Sequence, residues 1–472
     1  MSQSKSSSTI TGREIKIVGV VVLGAFVSLL NQTVMSPALP KLMADFGLEQ
    51  SVAQWVTSIY MLVNGIMVPI SGYLMDKFST RKLFTASLGA FVAGSALCAV
   101  APGFGILLVG RVLQAAGAGV MLPLVATVPL LVFPVEKRGT AMGMAGIVMA
   151  AGPAIGPVVG GAVIDSMGWR AMLWGIAALA AVILVAGVFL LENVGELKSP
   201  TLDVPSVILT IVAFGLLLYG FSSASDMGWT NPVIVACILV GAVALVLFVR
   251  RQLRLEQPLL NLSTLKVRRF AVAAIVVTLI NAAVAGTNVF LPIFLQNVLG
   301  VSAFTTGMVM LPAAIVGIVL SPVTGVLFDR QGPRGLAISG MVVLAGALLA
   351  LGGIGMGTPV VVVGVLCALQ ATGQALANMP VNTWGVNGLS DDLISHGNAV
   401  ANTGRQVFGA VATALTVTVM SSTQASRMAA GATAVEACAA GVASAYFACA
   451  IVAVIGLVIC LVFVRDAKRR AA

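Results

Sequence analysis

The sequence predicts an all-α polytopic membrane protein with 14 transmembrane helices, arranged as two pseudo-symmetric six-helix bundles plus two inserted helices. Three observations carry this prediction: an apolar composition, fourteen long charge-poor runs, and a loop motif that occurs twice. Of 472 residues, 59% are hydrophobic and 9% are charged, and the mean hydropathy is +1.06. A water-soluble domain could not keep so much apolar side chain off its surface.

Each helical crossing of the hydrocarbon core needs about 20 apolar residues. Between charged or Pro/Gly-rich breaks the chain has fourteen runs of that kind, at 15–37, 52–75, 83–102, 106–133, 139–164, 171–191, 204–223, 231–251, 269–297, 304–328, 334–354, 358–380, 400–421 and 442–464. The first run is too long for a removable signal peptide and has no small-residue cleavage site. It is therefore expected to remain as helix one.

Basic residues are concentrated on one side of the predicted membrane. If the N-terminus lies inside the cell, most Lys and Arg residues fall in inner breaks, and the outer breaks hold only Lys41, Arg170 and Arg427. This asymmetry follows the positive-inside rule and predicts that both termini are cytoplasmic. Since topology accounts for the net charge of +10, no nucleic acid partner is expected.

A loop motif occurs twice, as GYLMDKFSTRK (72–82) and GVLFDRQGPR (325–334). Both copies read Gly-x-Leu-x-Asp-basic-x-x-x-Arg at an inner break, which indicates duplicated halves. Six helices with short loops need on the order of 200 residues, and the longer spacing of Asp76 and Asp329 leaves room for two further crossings. The predicted division is a cytoplasmic tail 1–14, a bundle 15–191, an inserted pair 204–251, a cytoplasmic linker 252–268, a bundle 269–464 and a tail 465–472.

The repeated loop is a candidate gate. An Asp beside a helix N-terminus is stabilised by backbone N–H groups and the macrodipole, by roughly 0.3–1 kcal/mol. A latch that exists in only one of two rigid-body states biases that state. Charges that merely end helices on the inner side are the alternative. The proposed latch residues are Gly72, Asp76, Arg81, Gly325, Asp329 and Arg334.

These loops resemble the signature of the major facilitator superfamily, and three further stretches narrow the resemblance. GRVLQAAGAG (110–119) is similar to the superfamily's fourth-helix motif, and HGNAVANTGRQVFGA (396–410) to the thirteenth helix of its 14-helix drug:proton antiporter branch, the multidrug and lincomycin-exporter-like members. GMAGIVMAAGPAIGPVVGG (143–161) matches the antiporter motif on helix five. Its matching residues are Gly143, Gly152, Gly156, Pro157, Gly160 and Gly161.

The same stretches can be interpreted without the family. Glycines at small-x-x-x-small spacing let helices approach closely, and prolines inside a helix kink it. A bent, closely packed helix five would suit a moving interface; ordinary glycine-mediated packing is the alternative. Arg111 lies in an apolar run, where a cation must face the bundle interior. The resemblance implies a part in proton transfer or in fixing Gln114; a purely structural Arg bonded to carbonyls is the alternative.

Exporters of this branch usually carry a carboxylate in the stretch that corresponds to LNQTVMSPALP (30–40), where this chain has Asn31 and Gln32. An amide cannot take up and release a proton at ordinary pH, whereas a buried carboxylate can. Direct coupling at this point is therefore in question. The remaining candidates are Asp226 and, more strongly, Asp165 at the outer end of helix five, for which a solvated helix-end charge is the alternative reading.

Amides inside the apolar runs predict a central cavity, because each is costly in lipid and should face protein or a cavity. Hydrogen bonds that hold helices together are the alternative for any single amide. Amide stripes on several helices, with aromatic and Met side chains, suit varied neutral or zwitterionic amphiphiles. The cavity residues are predicted to be Asn31, Gln32, Gln54, Tyr60, Asn64, Gln114, Met121, Asn281, Asn288, Gln370, Gln374 and Asn378.

No catalytic or metal site and no cofactor is expected, so the chain is not expected to be an enzyme. His396 is the single His and is predicted in the loop before helix thirteen, in a loop or capping role. The six Cys residues lack CxxC spacing, and no phosphate-binding loop for ATP occurs.

The function predicted is secondary active export of amphiphilic small molecules, as in multidrug or antibiotic efflux, by proton antiport through alternating access in the plasma (inner) membrane of a bacterium. The partners expected are this substrate, protons and the lipid bilayer, and a monomeric state is left open. One alternative is a dedicated lipid, metabolite or antibiotic exporter, or a facilitator, without proton coupling. A non-transporting membrane sensor is another.

Overall fold

The structure is a computed structural model that describes residues 12–35, 38–48, 50–53, 55–134, 137–194, 203–255, 258–301 and 303–464. These residues form helices, turns and loops, and no strand occurs among them. The prediction of an all-α chain is confirmed.

The helices fall into three groups along the chain. The first group is α1 (Gly12–Val34), α2 (Leu39–Phe46), α3 (Gln50–Ala53), α4 (Trp55–Lys77), α5 (Thr80–Ala99), α6 (Phe104–Val132), α7 (Arg138–Met167) and α8 (Trp169–Leu190). An inserted pair follows, α9 (Val204–Met227) and α10 (Pro232–Gln252). The last group is α11 (Arg268–Ala285), α12 (Thr287–Ile293), α13 (Ala303–Gln331), α14 (Pro333–Gly352), α15 (Val360–Val386), α16 (Ile394–Ala429) and α17 (Ala434–Phe463).

Fourteen crossings are present in the described part of the chain. Thirteen helical segments are long and apolar enough to cross a membrane, with α11, α12 and the π turn that follows counted as one. The fourteenth is α7, a 30-residue helix between α6 and α8. This agrees with the fourteen crossings predicted from the sequence.

Each large group of helices has its own hydrophobic core. Phe84, Phe91 and Leu124 belong to the core of the first bundle. Phe290, Leu344 and Tyr446 belong to the core of the second bundle. Because an even number of crossings separates them, the start of α1 and the end of α17 lie at one end of the molecule, here called the terminal face.

Two elements differ from the sequence prediction. The thirteenth crossing, α16, begins at Ile394, six residues before the run predicted at 400, so His396 lies in its first turn and not in a loop. The buried imidazole ring of His396 is hydrogen-bonded to Asp76, so the polar start of α16 has a partner inside the protein. The ninth crossing is divided at Gly286 and ends in a π turn at Phe294–Val298, just after Pro292, which lacks a backbone N–H.

Candidate functional site

The end of α13 meets the start of α7 at the terminal face. The carboxylate of Asp329 accepts hydrogen bonds from the backbone N–H groups of Gly139 (3.0 Å) and Thr140 (2.9 Å), and from the Thr140 hydroxyl (2.7 Å). The first N–H groups of a helix have no intrahelical partner and carry partial positive charge. Asp329 of the second bundle thus caps a helix of the first.

The end of α4 meets the start of α16 in the corresponding way. Asp76 lies 3.0 Å from Nε2 of His396 and accepts a bond of 3.4 Å from the Ser395 hydroxyl. Nδ1 of His396 accepts the backbone N–H of Asn261 at 3.4 Å, which assigns the ring hydrogen to Nε2 and makes it the donor to Asp76. The two contacts are related by the pseudo-symmetry of the halves and together are called the paired latch.

The two motif glycines allow these close approaches. A Cβ on Gly325 would come within 3.0 Å of the Gly139 carbonyl carbon, and one on Gly72 within 3.2 Å of His396 Nδ1. The motif arginines Arg81 and Arg334, in contrast, have exposed side chains.

Further polar contacts join the bundles at the same face. The guanidinium of Arg138 is 3.0 Å from Asp391. The Asn398 amide, on α16, donates to the Ala126 carbonyl (3.3 Å) and the Thr127 hydroxyl (3.1 Å) of α6. The terminal face is therefore closed by contacts from several helices of both bundles.

Helix α7 carries the antiporter-motif glycines and packs on two neighbours. Toward α1, a Cβ on Gly156 would lie 3.0 Å from the Leu30 carbonyl, and one on Gly160 2.8 Å from that of Val34; Gly152 faces α1 in the same way. Toward α13, a Cβ on Gly143 would lie 2.8 Å from the Ser321 carbonyl. No atom of the described residues lies within 4 Å of a Cβ placed on Gly161, and the side chain of Pro157 is outside the described residues. One helix thus joins α1 to the opposite bundle.

A buried polar cluster lies inside the first bundle. Arg111 donates through Nε to the Val56 carbonyl and through Nη1 to Gln114 Oε1, both at 2.9 Å, and its guanidinium stacks 4.3 Å from the Tyr60 ring. Gln114 in turn donates to the Ser95 hydroxyl at 2.8 Å. These contacts hold the cation with several partners.

Polar atoms of this cluster remain without a protein partner. Asn31 is fully buried with its amide beside the Tyr60 hydroxyl, and its side-chain oxygen has no hydrogen-bond partner among the described residues. Nη2 of Arg111 also has no hydrogen-bond partner among the described residues. Buried polar atoms are rarely left this way in proteins, so the cluster has donors and an acceptor available for a transported species or a proton carrier.

The second bundle has a reduced counterpart. LQAAG (113–117) recurs as LQATG (369–373), a repeat that sequence comparison of the halves could have found, and its Gln370 donates to the Thr287 hydroxyl at 2.9 Å. Cys367 stands where the first copy has Arg111. At this position of the repeat, therefore, only the first half has a cation.

The predicted cavity residues divide by exposure. Asn31, Tyr60, Asn64, Gln114, Met121 and Gln370 are buried inside the bundles. Gln32, Asn281, Gln374 and Asn378 are half-buried. Gln54 lies outside the described residues, as do the side chains of Asn288, Asp165 and Asp226.

Arg405, on α16, is a charged residue that the sequence patterns did not single out. It lies within the thirteenth apolar run, the same kind of signal that marks Arg111. Its side chain is half-buried, and protein atoms surround and desolvate it.

The inserted pair packs against both bundles. Trp55 of α4 stacks on Tyr219 of α9 with ring centroids 5.7 Å apart, and Trp229 donates to the Thr418 hydroxyl of α16 at 2.5 Å. Both contacts lie at the end of the molecule opposite the terminal face, where α9 and the loop that follows it touch one helix of each bundle.

A polar chain runs from the inserted pair to the paired latch. Arg251 donates to both oxygens of Asp203 (2.6 and 2.7 Å), and this guanidinium holds the pKa of the carboxyl at about 2. Gln252 bridges the Ser206 hydroxyl (2.6 Å) and the backbone N–H of Leu260 (3.0 Å), next to the Asn261 group that bonds His396.

Comparison with known proteins agrees with this geometry. Residues 21–413 match the family model of the Major Facilitator Superfamily. The chain belongs to the major facilitator superfamily. It is a multi-pass membrane transporter of small molecules and not an enzyme, and its bacterial relatives indicate the inner membrane.

Curated relatives cover nearly the whole chain. The MFS-type transporter YcnB of Bacillus subtilis is 42% identical over 444 residues, 94% of this chain and 93% of its own length. Lincomycin resistance protein LmrB of Listeria monocytogenes is 37% identical over 461 residues, 97% of this chain and 98% of its own. The crystal structure of human organic anion transporter MFSD10 aligns with a TM-score of 0.67 at 17% identity, covering 95% of this chain and 99% of that one, and shows the shared fold.

Proposed function

We propose that this transporter exports amphiphilic small molecules, drugs and antibiotics among them, in exchange for protons. The single observation that carries the proposal is the paired latch, which closes one end of the interface between two bundles. The name of the lincomycin resistance relatives supports export of a drug-like substrate.

The terminal face is proposed to be the cytoplasmic one. Its loops hold most of the basic residues, Arg81 and Arg334 among them, as the positive-inside rule requires of cytoplasmic loops. With the latch formed, the protein is then closed to the cytoplasm and open toward the outside, the state in which an exporter releases its substrate.

Alternating access follows from rocking the bundles about their interface. Opening toward the cytoplasm breaks both halves of the latch, including three hydrogen bonds to Asp329. Helix α7 is placed to transmit the motion because its glycines join α1 to α13. The expected cost of leaving the closed state is set largely by these contacts.

Proton coupling is proposed to be relocated rather than lost. Asn31 cannot titrate, so the proton must be carried by another group, and Asp165 at the far end of α7 remains the candidate. The Arg111, Tyr60 and Asn31 cluster beside α1 supports this reading, since unpaired polar atoms there can bind a substrate or water in one state and not in the other.

The test is export from proteoliposomes with and without an imposed pH gradient, for the natural chain and Asp165→Asn. The proposal expects gradient-driven export by the natural chain and, in the variant, loss of the gradient dependence with binding affinity nearly unchanged. Gradient-driven export that is undiminished in Asp165→Asn would remove this residue from the mechanism.

A dedicated lipid, metabolite or antibiotic exporter without proton coupling is the second candidate. The observation that favours it is the pair of amides, Asn31 and Gln32, at the place where related exporters carry an acid. Export at the same rate with and without the pH gradient, and no proton movement when substrate is added, would support this candidate.

A further inference from the structure

Arg405 lies near the middle of the membrane. It follows Ile394, the start of α16, by eleven residues and precedes the end of that helix at Ala429 by twenty-four. At 1.5 Å per residue it is about 16 Å from the terminal end of α16, close to the centre of a hydrocarbon core about 30 Å thick.

A lone cation at this depth is costly. Charged side chains inside a membrane protein are rare, face the interior or a water-filled cavity, and mark pathways for ions or substrates. Arg405 makes no hydrogen bond or ion pair with any described residue. Arg111, by comparison, has the Val56 carbonyl and Gln114 as partners.

The side chain faces the space between the bundles. Asn398, Asn402 and Arg405 recur at i, i+4 and i+7 and so share one face of α16, and Asn398 on that face is bonded to α6 of the first bundle. From Ile394 to Thr403 every residue of α16 but Val400 is buried, whereas from Gly404 to Thr413 none is buried. The tight packing of α16 therefore ends just below Arg405, and the helix is partly exposed beyond it.

The local charge around Arg405 is positive. In the described helices, every Asp and Glu lies within the first or last three residues, as Asp76, Asp165, Asp226, Asp329 and Glu436 do. The half-buried amides of Gln374 and Asn378 carry no charge. No described group is thus placed to neutralise the guanidinium, which offers five donors in a planar fork suited to a carboxylate or phosphate.

We propose that a cavity between the bundles begins at Arg405 and that Arg405 binds there the anionic group of an amphiphilic molecule, a carboxylate or phosphate whose apolar part occupies the rest of that cavity. This inference rests on the proposed export function and names its substrate class. An anion in the site removes the cost of the unpaired cation, and the molecule that supplies it is either a free organic acid or the head group of an anionic lipid.

The test uses the full chain in phosphatidylcholine nanodiscs and a matched pair of fluorescent probes, dansyl-undecanoic acid and its carboxamide. A hydrogen bond to a charged acceptor is stronger than one to a neutral amide, so the acid is expected to bind at least tenfold more tightly than the amide. Arg405→Gln should abolish this preference and Arg405→Lys should keep part of it. The control Arg427→Gln removes the same charge at the far end of α16 and should keep all of it.

Equal binding of acid and amide by the natural chain, or an unchanged preference in Arg405→Gln, would overturn the inference. Thermal unfolding of Arg405→Gln should show a folded protein, because the change removes an unpaired charge. Adding phosphatidylglycerol to the nanodiscs separates the two sources: competition with the acid identifies a lipid head group, and its absence a free acid. If Arg405→Gln still exports the amide, the export function is supported whether or not Arg405 binds an anion. The two proposals can therefore fail independently.

Discussion

Asp329→Asn should release the terminal face. The natural carboxylate accepts three hydrogen bonds from the start of α7, two of them through Oδ2. An Asn can place its one acceptor oxygen at the Oδ2 position and keep two bonds, but its NH₂ group then faces the Gly139 N–H, so one bond to a charged acceptor and the attraction to the helix N-terminus are lost. Hydrogen bonds to charged groups contribute about 1.5–3 kcal/mol each, and solvent competes for this half-buried site.

Asp329→Asn is therefore expected to destabilise the latched state by about 2–3 kcal/mol and to leave the free energy of the open state unchanged. Since 1.4 kcal/mol is a factor of ten in an equilibrium constant, the population should shift by about 30- to 150-fold toward the state open at the terminal face. Labelling of a Ser321→Cys reporter measures this shift, because Ser321 is buried against Gly143 and Gly146 of α7 when the face is closed.

The background for this assay is simple. Five of the six native thiols are buried, and the half-buried Cys237 can be replaced by Ser. Glu192→Gln is the matched control: it changes an acid to an amide at the same face, but its partner Arg13 belongs to the same bundle. Equal labelling rates in Asp329→Asn and in the protein that keeps Asp329 would refute this reasoning. Asp329 would then be only a charge that ends a helix.

Three further outcomes are expected. Gly160→Ala should lower the free energy of unfolding by about 1–3 kcal/mol and impair export, because its Cβ meets the Val34 carbonyl at 2.8 Å, whereas Gly161→Ala next to it meets nothing and should be neutral. Arg111→Lys should lower the free energy of unfolding by about 2–3 kcal/mol, because an ammonium cannot keep both contacts of the planar guanidinium. Thermal unfolding in detergent measures this change, and unchanged stability would contradict the role given to Arg111 in the buried cluster. The carboxyl pKa of Asp203, held at about 2, means that its stabilisation is complete above pH about 4 and is lost as the pH falls toward 2; the melting temperature should fall more in this window for the natural chain than for Asp203→Asn, and parallel curves would contradict it.

The crossings and the duplicated halves could be predicted because composition and repetition determine them. About 20 apolar residues make a crossing whatever their order, and the two Asp-containing loops lie at equivalent places. The start of α16 could not be predicted in this way. Ser395 and His396 are polar, and they become helical and buried only because Asp76, more than 300 residues away in sequence, bonds to them when the bundles meet.

The polar residues inside the crossings show the same limit. A cation in an apolar run, such as Arg111 or Arg405, must be shielded, but the sequence does not tell which of them has partners. Gln114 and the Val56 carbonyl accept hydrogen bonds from Arg111 because α4 and α6 pack together, whereas Arg405 lies where the tight packing of α16 ends. The same geometry separates the buried Gln370 from the half-buried Gln374 on one helix.

The most direct test of the central claim is proton movement driven by substrate. With the purified protein in proteoliposomes that hold a pH-sensitive dye, and no gradient imposed, addition of a transported amphiphile should cause proton flow opposite to the substrate. The flow should be absent from empty liposomes. Substrate accumulation without any proton movement would contradict proton antiport and favour the uncoupled exporter.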